Sequence, residues 1–231
     1  MKGEADVAAA AALLAEPTRA ALVLAVIDDG PLPASELAAR ARIAPSTASQ
    51  HLARLVSGGF LTTSKNGRHR HYRLADPAVA DAIEALAIVA PQPEPRTLRE
   101  ATRGELLREA RTCYDHLAGR LGVALARALE ESEVVVRRNG GYALGRRARR
   151  RLAPLEIELE RLERRRRPVV RGCLDWSERE LHVAGGLGAA LAERLFELGW
   201  IERREANRSV AVTERGSELL QAQLGVDLDE H

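Results

Sequence analysis

Two groups of residues in this sequence have the types and spacing to do chemistry. The first runs from Pro45 to Val56 and continues into a basic stretch ending at Arg73. At helical spacing, Ala48, Leu52, Leu55 and Val56 make an apolar stripe. That leaves Ser46, Thr47, Ser49, Gln50, His51 and Arg54 on the other side. Hydroxyls and an amide can exchange hydrogen bonds with base edges, and an arginine can read guanine or hold a phosphate. An ordinary solvated helix face would carry similar residues. The adjoining basic segment tips the balance: Lys65, Arg68, Arg70, His71 and Arg73 lie in a hairpin-like stretch, and no acidic residue occurs between Leu37 and Ala75. A field of one sign over such a window suits a polyanion.

The second group is Cys113, His116, Cys173 and His182. Two thiolates and two imidazoles suit tetrahedral zinc if they converge. If they do not, the cysteines are small buried hydrophobes and the histidines satisfy backbone groups. The four belong to an internal repeat. His116-Leu-Ala-Gly119-Arg-Leu-Gly122 matches His182-Val-Ala-Gly185-Gly-Leu-Gly188, and Cys113-Tyr-Asp115 matches Cys173-Leu-Asp175. The second copy has six extra residues between this tripeptide and its histidine. The shared glycines, at a three-residue interval, are expected on one helical face, where the two copies meet. No nucleophile spacing or oxyanion element accompanies the cysteines, so an enzyme is not expected.

The elements that must position these residues are set by local signals. Short helices are expected from Ala5 to Ala15 and from Pro17 to about Asp28, then Ser35–Arg40 and Pro45–Val56, with Gly58-Gly59 as a stop. Strands at 60–63 and 70–74 flank a Lys65-Asn66-Gly67 turn, and Asp76-Pro77 opens a closing helix through Val89. Pro91, Pro93 and Pro95 mark an extended connection. The expected organisation is therefore a DNA-binding domain at 1–90, a linker at 91–96 and a sensing or dimer-stabilising domain at 97–231. The last contains the repeat, at about 113–152 and 173–220. The fold class is mainly α with small β-hairpin wings: a winged helix-turn-helix, then two degenerate winged-helix-like lobes. Glu16, Pro17 and Arg19 interrupt the apolar N-terminus before about eighteen apolar residues accumulate, so a soluble cytoplasmic protein with no membrane partner is expected.

Residues 8–90 resemble the ArsR-type winged helix-turn-helix regulators. The matching residues are Ala15-Glu16-Pro17-Thr18-Arg19, Ser35-Glu36-Leu37-Ala38, Ser46-Thr47-x-Ser49-Gln50-His51-Leu52-x-x-Leu55, Gly59-Phe60-Leu61, Gly67-Arg68 and Tyr72-Arg73-Leu74. The resemblance implies a homodimer on a palindromic operator in double-stranded DNA, usually repressing, with terminal helices as the dimer face. Val7–Leu14 and Ile83–Val89 are apolar enough to serve. The chain departs from metal-sensing members of the family: Glu36 to Arg40 contains no thiol, and the closing helix has Asp81 and Glu84 but no histidine. A metal or small-molecule effector would therefore act through the second half. Two alternatives remain open: a tandem winged-helix protein-interaction module, or a metal- or thiol-responsive regulator using Cys113, His116, Cys173 and His182.

Overall fold

The computed structural model describes residues 4–67, 69–91, 94–204 and 208–228. The chain divides into two compact units, Met1–Ile83 and Glu84–His231. The division falls inside a continuous helix, ahead of the proline-rich segment expected as the linker; Gln92 and Pro93 of that segment lie outside the described residues. Glu84 already pairs with Arg208 of the second unit.

In the first unit, helices α1 (Val7–Leu14) and α2 (Pro17–Asp29) are joined by Ala15 and Glu16, and the side chains of Glu16 and Arg19 satisfy the facing helix ends. The Glu16 carboxylate accepts the N–H groups of Thr18 at 3.0 Å and Arg19 at 2.9 Å, and Pro17 occupies the first turn. Arg19 reaches back, donating to the carbonyls of Leu13 at 2.5 Å and Ala12 at 2.9 Å. These are carbonyls that a helix terminus leaves without partners.

Strand β1 (Leu32–Pro33) leads into α3 (Ala34–Ala41), whose left-handed cap at Arg42 turns the chain into α4 (Pro45–Ser57). Leu22, Val23, Leu37, Ala48, Leu52 and Leu55 are fully buried and form the centre of this unit. Val56, expected on the same stripe, is 36% exposed. Eight residues beyond Ala48, it is rotated off the line that Ala48, Leu52 and Leu55 make at 3.6 residues per turn.

Strands β2 (Leu61–Asn66) and β3 (His69–Leu74) form the wing, and β1 adds to the outer edge of β3. Pairing extends to Asn66↔His69, so the turn is tighter than the expected Lys65-Asn66-Gly67 and lies beyond Asn66. Gly67, at φ +60°, supplies the positive φ that such a two-residue connection requires. Helix α5 (Pro77–Val89) comes next.

The second unit opens with α6 (Leu98–Glu109), capped by the Thr97 hydroxyl. The two copies of the repeat then share one order: hairpin, helix, hairpin, helix. The first copy is β4 (Arg111–Cys113), β5 (His116–Ala118), α7 (Gly119–Glu131), β6 (Val135–Arg138), β7 (Gly141–Leu144) and α8 (Ala148–Leu152). A short helix α9 (Leu159–Glu163) precedes the second copy. That copy is β8 (Arg171–Leu174), β9 (Leu181–Ala184), α10 (Gly185–Glu197), β10 (Ile201–Arg203), β11 (Val210–Val212) and α11 (Glu214–Leu219).

The copies pack crosswise. Helix α7 lies against β9, α10 lies against β5, and β5 lies beside β9. Leu121, Leu125, Leu129, Val183, Leu187, Leu191 and Leu195 fill the shared core. Helix α7 is therefore mostly buried, as is the first half of α10.

The shared glycines do not all sit inside helices, as their spacing had implied. Gly119 (φ +74°) and Gly185 (φ +84°) are the turn from strand into helix. An L side chain resists that conformation, and a Cβ would stand 2.5 Å from the Arg108 carbonyl oxygen or 2.8 Å from that of Pro168. Gly119→Ala and Gly185→Ala should each destabilise the second unit by about 2–4 kcal/mol, from left-handed strain plus overpacking. Both tryptophans, Trp176 and Trp200, lie in this unit, so their fluorescence in a urea titration reads the effect. Gly104→Ala, within α6 and with open space at the Cβ, is the control and should be neutral or slightly stabilising.

Candidate functional site: a nucleic-acid interface and a metal centre

On α4, Ser46, Ser49, Gln50 and Arg54 are exposed and Thr47 is half-buried. The Ser49 hydroxyl donates to the Pro45 carbonyl at 2.9 Å, which fixes its rotamer along the helix. His51 differs from the others. It lies nearer the buried stripe, half-buried, with Nδ1 3.3 Å from the Glu16 carboxylate. Its place is between α4 and the α1–α2 joint.

In the wing, cross-strand partners share a face. Lys65 is opposite Arg70, so these two exposed cations stand side by side. Thr62 pairs with Arg73 and Ser64 with His71 on the other face. Arg73 is exposed and His71 half-buried. Arg68 lies outside the described residues. The acid-free window thus folds into the end of α3, all of α4 and the whole wing of one compact unit.

The second unit brings Cys113, His116, Cys173 and His182 together. One ligand-type atom from each lies within 4.8 Å of the others. The Sγ atoms are 4.0 Å apart, well beyond a disulfide bond, and the two Nε2 atoms are 3.1 Å apart. Each pair comes from one hairpin, in the same register: Cys113↔His116 across β4 and β5, Cys173↔His182 across β8 and β9. The six extra residues of the second copy widen its turn and leave this register untouched. Cys113, His116 and His182 are buried, and Cys173 is partly so.

Behind the four stands a second layer. His116 Nδ1 is 3.3 Å from Asp115, and His182 Nδ1 is 3.5 Å from Asp175. Each carboxylate has an arginine: Arg167 lies 2.6 Å from Asp115, and Arg111 meets both oxygens of Asp175 at 2.9 Å. The Gly119 N–H at 2.7 Å and the Ser177 hydroxyl at 2.7 Å complete the Asp175 shell. Burial opposes the charge on Asp175, but Arg111 and these donors hold its carboxyl well below the usual range.

The thiols split. A hydrogen bond from Cys113 together with the two imidazoles pulls the Cys173 thiol far down, and the same shared hydrogen bond with burial pushes Cys113 up. Burial disfavours protonation of His116, yet Asp115 and the Cys173 sulfur raise its pKa. The sequence repeat had pointed to the two aspartates. Arg111 and Arg167 had no such signal, because neither stands out from the many other arginines and both act across more than fifty residues.

The helix pair α3–α4 and the three-stranded β1–β3–β2 wing define a winged helix-turn-helix protein. Residues 14–64 match the helix-turn-helix domain family. Over 223 residues the chain is 38% identical to YdfF, an HTH-type transcriptional regulator of Bacillus subtilis (strain 168), covering 96% of this chain and 99% of that one. The chain belongs to the HTH-type transcriptional regulators, which bears out the resemblance read from the sequence. Among solved structures, the winged helix-turn-helix DNA-binding domain of Mb0332 from Mycobacterium bovis is 26% identical, covering 38% of this chain and 89% of its own, with a TM-score of 0.34. The cadmium metal-sensor CMTR from Mycobacterium tuberculosis is 31% identical over 39% of this chain and 93% of its own, with a TM-score of 0.33.

Arg111 and Asp175 are both fully buried, and Arg111 also stacks 4.4 Å from the Trp176 ring. Removing one partner leaves an uncompensated charge. Arg111→Met should therefore cost the second unit about 3–5 kcal/mol. Thermal unfolding followed by tryptophan fluorescence should show the loss, and an unchanged midpoint would mean that Asp175 finds another cation.

Proposed function

We propose that this protein is a sequence-specific DNA-binding transcription regulator that acts as a repressor, bound as a homodimer to a palindromic operator. The observation that carries the reading is the exposed polar face of α4, in a unit whose wing sets Lys65 and Arg70 side by side and which contains no acid from Leu37 to Ala75. In this reading α4 enters the major groove. Ser46, Thr47, Ser49 and Gln50 exchange hydrogen bonds with base edges, and Arg54 meets guanine or phosphate. Lys65, Arg68, Arg70, His71 and Arg73 of the wing neutralise backbone phosphates, while His51 holds α4 against the Glu16 joint.

Two observations support the homodimer. Helix α1 has no buried residue although it is built of alanine, leucine and valine, and Val7 is 72% exposed. At the end of α5, Leu86 and Val89 are exposed as well. A second copy would cover such surfaces. The protein acts in the cytoplasm and carries out no reaction of its own, its second unit serving to sense an effector or stabilise the dimer. No single helix among the described residues is long and apolar enough to cross a membrane.

The operator is recovered by selecting random duplexes with the purified chain. Its half-sites should lie about one helical turn, roughly 34 Å, apart. Ser49→Ala with Gln50→Ala should flatten the selected sequence logo while leaving non-specific affinity in place. Lys65→Ala with Arg70→Ala should weaken all duplexes alike and reduce the slope of log K against log salt by about one unit per lost phosphate contact. Salt-independent binding by the wild-type chain, or a wing variant that binds as tightly as wild type, would sink this reading.

A further inference from the structure

We propose that Cys113, His116, Cys173 and His182 bind one zinc ion tetrahedrally, with two ligands from each copy of the repeat. The inference goes beyond the DNA reading and does not rest on it.

The distances fit such an ion. Four ligands at ordinary Zn–S and Zn–N lengths, about 2.3 and 2.05 Å, place two sulfurs about 3.8 Å apart and two nitrogens about 3.3 Å apart at tetrahedral angles. The chain presents its sulfurs at 4.0 Å and its nitrogens at 3.1 Å. All four ligands come from paired strands of two packed hairpins, so packing and the ladders hold them in place before any ion arrives.

Ring orientation points the same way. Both Nδ1 atoms lie toward carboxylates, the arrangement in which a neutral imidazole keeps its proton on Nδ1 and offers Nε2 to a metal. Both Nε2 atoms then carry lone pairs, and these are aimed at each other across 3.1 Å inside a buried pocket. A cation between them turns that repulsion into attraction. A carboxylate behind each ligating imidazole is also the usual outer layer of a zinc site.

Charge balances as well. One divalent cation and two thiolates sum to zero, and each aspartate behind the histidines already has its own arginine. The site can therefore be filled without leaving net charge in the interior, which burial would penalise. Two sulfurs and two nitrogens favour zinc over magnesium or calcium, which take oxygen ligands. With four protein ligands the ion has no open position for substrate, so it holds structure and does not catalyse. It would join residues sixty positions apart in sequence, across the face where the copies meet.

The test uses the full-length chain, stripped with a chelator and checked for folding by circular dichroism. Cobalt(II) is added as the spectroscopic probe, and zinc then competes. The expected results are one zinc per chain by elemental analysis, a tetrahedral cobalt spectrum with thiolate-to-metal charge transfer, and a higher thermal midpoint with metal. Cys113→Ser with Cys173→Ser should abolish the charge-transfer band and lower zinc affinity at least about 100-fold. Two milder variants guard against misfolding. Asp115→Asn, whose side chain is 29% exposed, should keep the tetrahedral spectrum and lose about 10–100-fold in affinity. Cys173→His should keep four ligands with a weaker charge-transfer band. A folded wild-type chain that takes up no zinc, an octahedral cobalt spectrum, uptake of copper but not zinc, or an affinity unchanged in the double serine variant would each overturn the proposal.

Discussion

The second unit depends on one constraint: the first turn of each repeat's helix must come within touching distance of the other repeat's histidine strand. A Cβ at Gly122 would stand 3.6 Å from the His182 Cβ, and one at Gly188 would stand 3.0 Å from the His116 Cβ. That reciprocal approach sets the two histidines tip to tip, with their Nε2 atoms 3.1 Å apart and ring centroids 5.0 Å apart. It also lets Asp175 of one copy receive the Gly119 N–H and the Arg111 guanidinium of the other. The apolar core between α7 and α10 supplies the driving force, but it would tolerate sliding. A buried Arg–Asp pair, with one guanidinium nitrogen shared between both carboxylate oxygens, does not, because every lost hydrogen bond there leaves a desolvated charge. Packing thus brings the copies together, and the polar cluster fixes their register.

The first unit works by a different economy of parts. Its two-residue joint at Ala15 and Glu16 ends one helix and starts the next, with Glu16 and Arg19 satisfying backbone groups on both sides. The same carboxylate approaches His51, so the orientation of α4 is tied to a joint three elements earlier in the chain. A helix held in this way from behind leaves its outer face free of structural duty. Ser46, Ser49, Gln50 and Arg54 stay exposed because Ala48, Leu52 and Leu55 carry the packing alone.

Much of this was legible in the sequence, and the reasons differ by element. Helices α2, α4 and α5 announce themselves by a proline in the first turn, and the wing by alternation around a glycine. The convergence of Cys113, His116, Cys173 and His182 was legible only because the repeat doubled the signal; either Cys–His pair alone would have carried little weight. The spacing pointed rightly to close approach at Gly122 and Gly188 but misled on Gly119 and Gly185. A three-residue interval describes one helical face, whereas Gly119 and Gly185 stand at positive φ before the helical geometry begins. Strand β1 escaped notice because two residues carry no periodicity, and Arg111 and Arg167 because ion pairs between distant segments leave no local pattern.

The widened turn between β8 and β9 has a consequence for how such a site tolerates change in length. In an antiparallel hairpin, residues are matched by counting outward from the ladder, so chain added between partners is invisible to the ladder itself. Cys173 and His182 are nine positions apart, Cys113 and His116 only three, and the two pairs occupy the same rungs. Insertion elsewhere in the strand would rotate every later side chain to the opposite face. The segment between Asp175 and His182 thus adds residues, among them Trp176 and Ser177 against the Arg111–Asp175 pair, while the ladder beneath it stays in step.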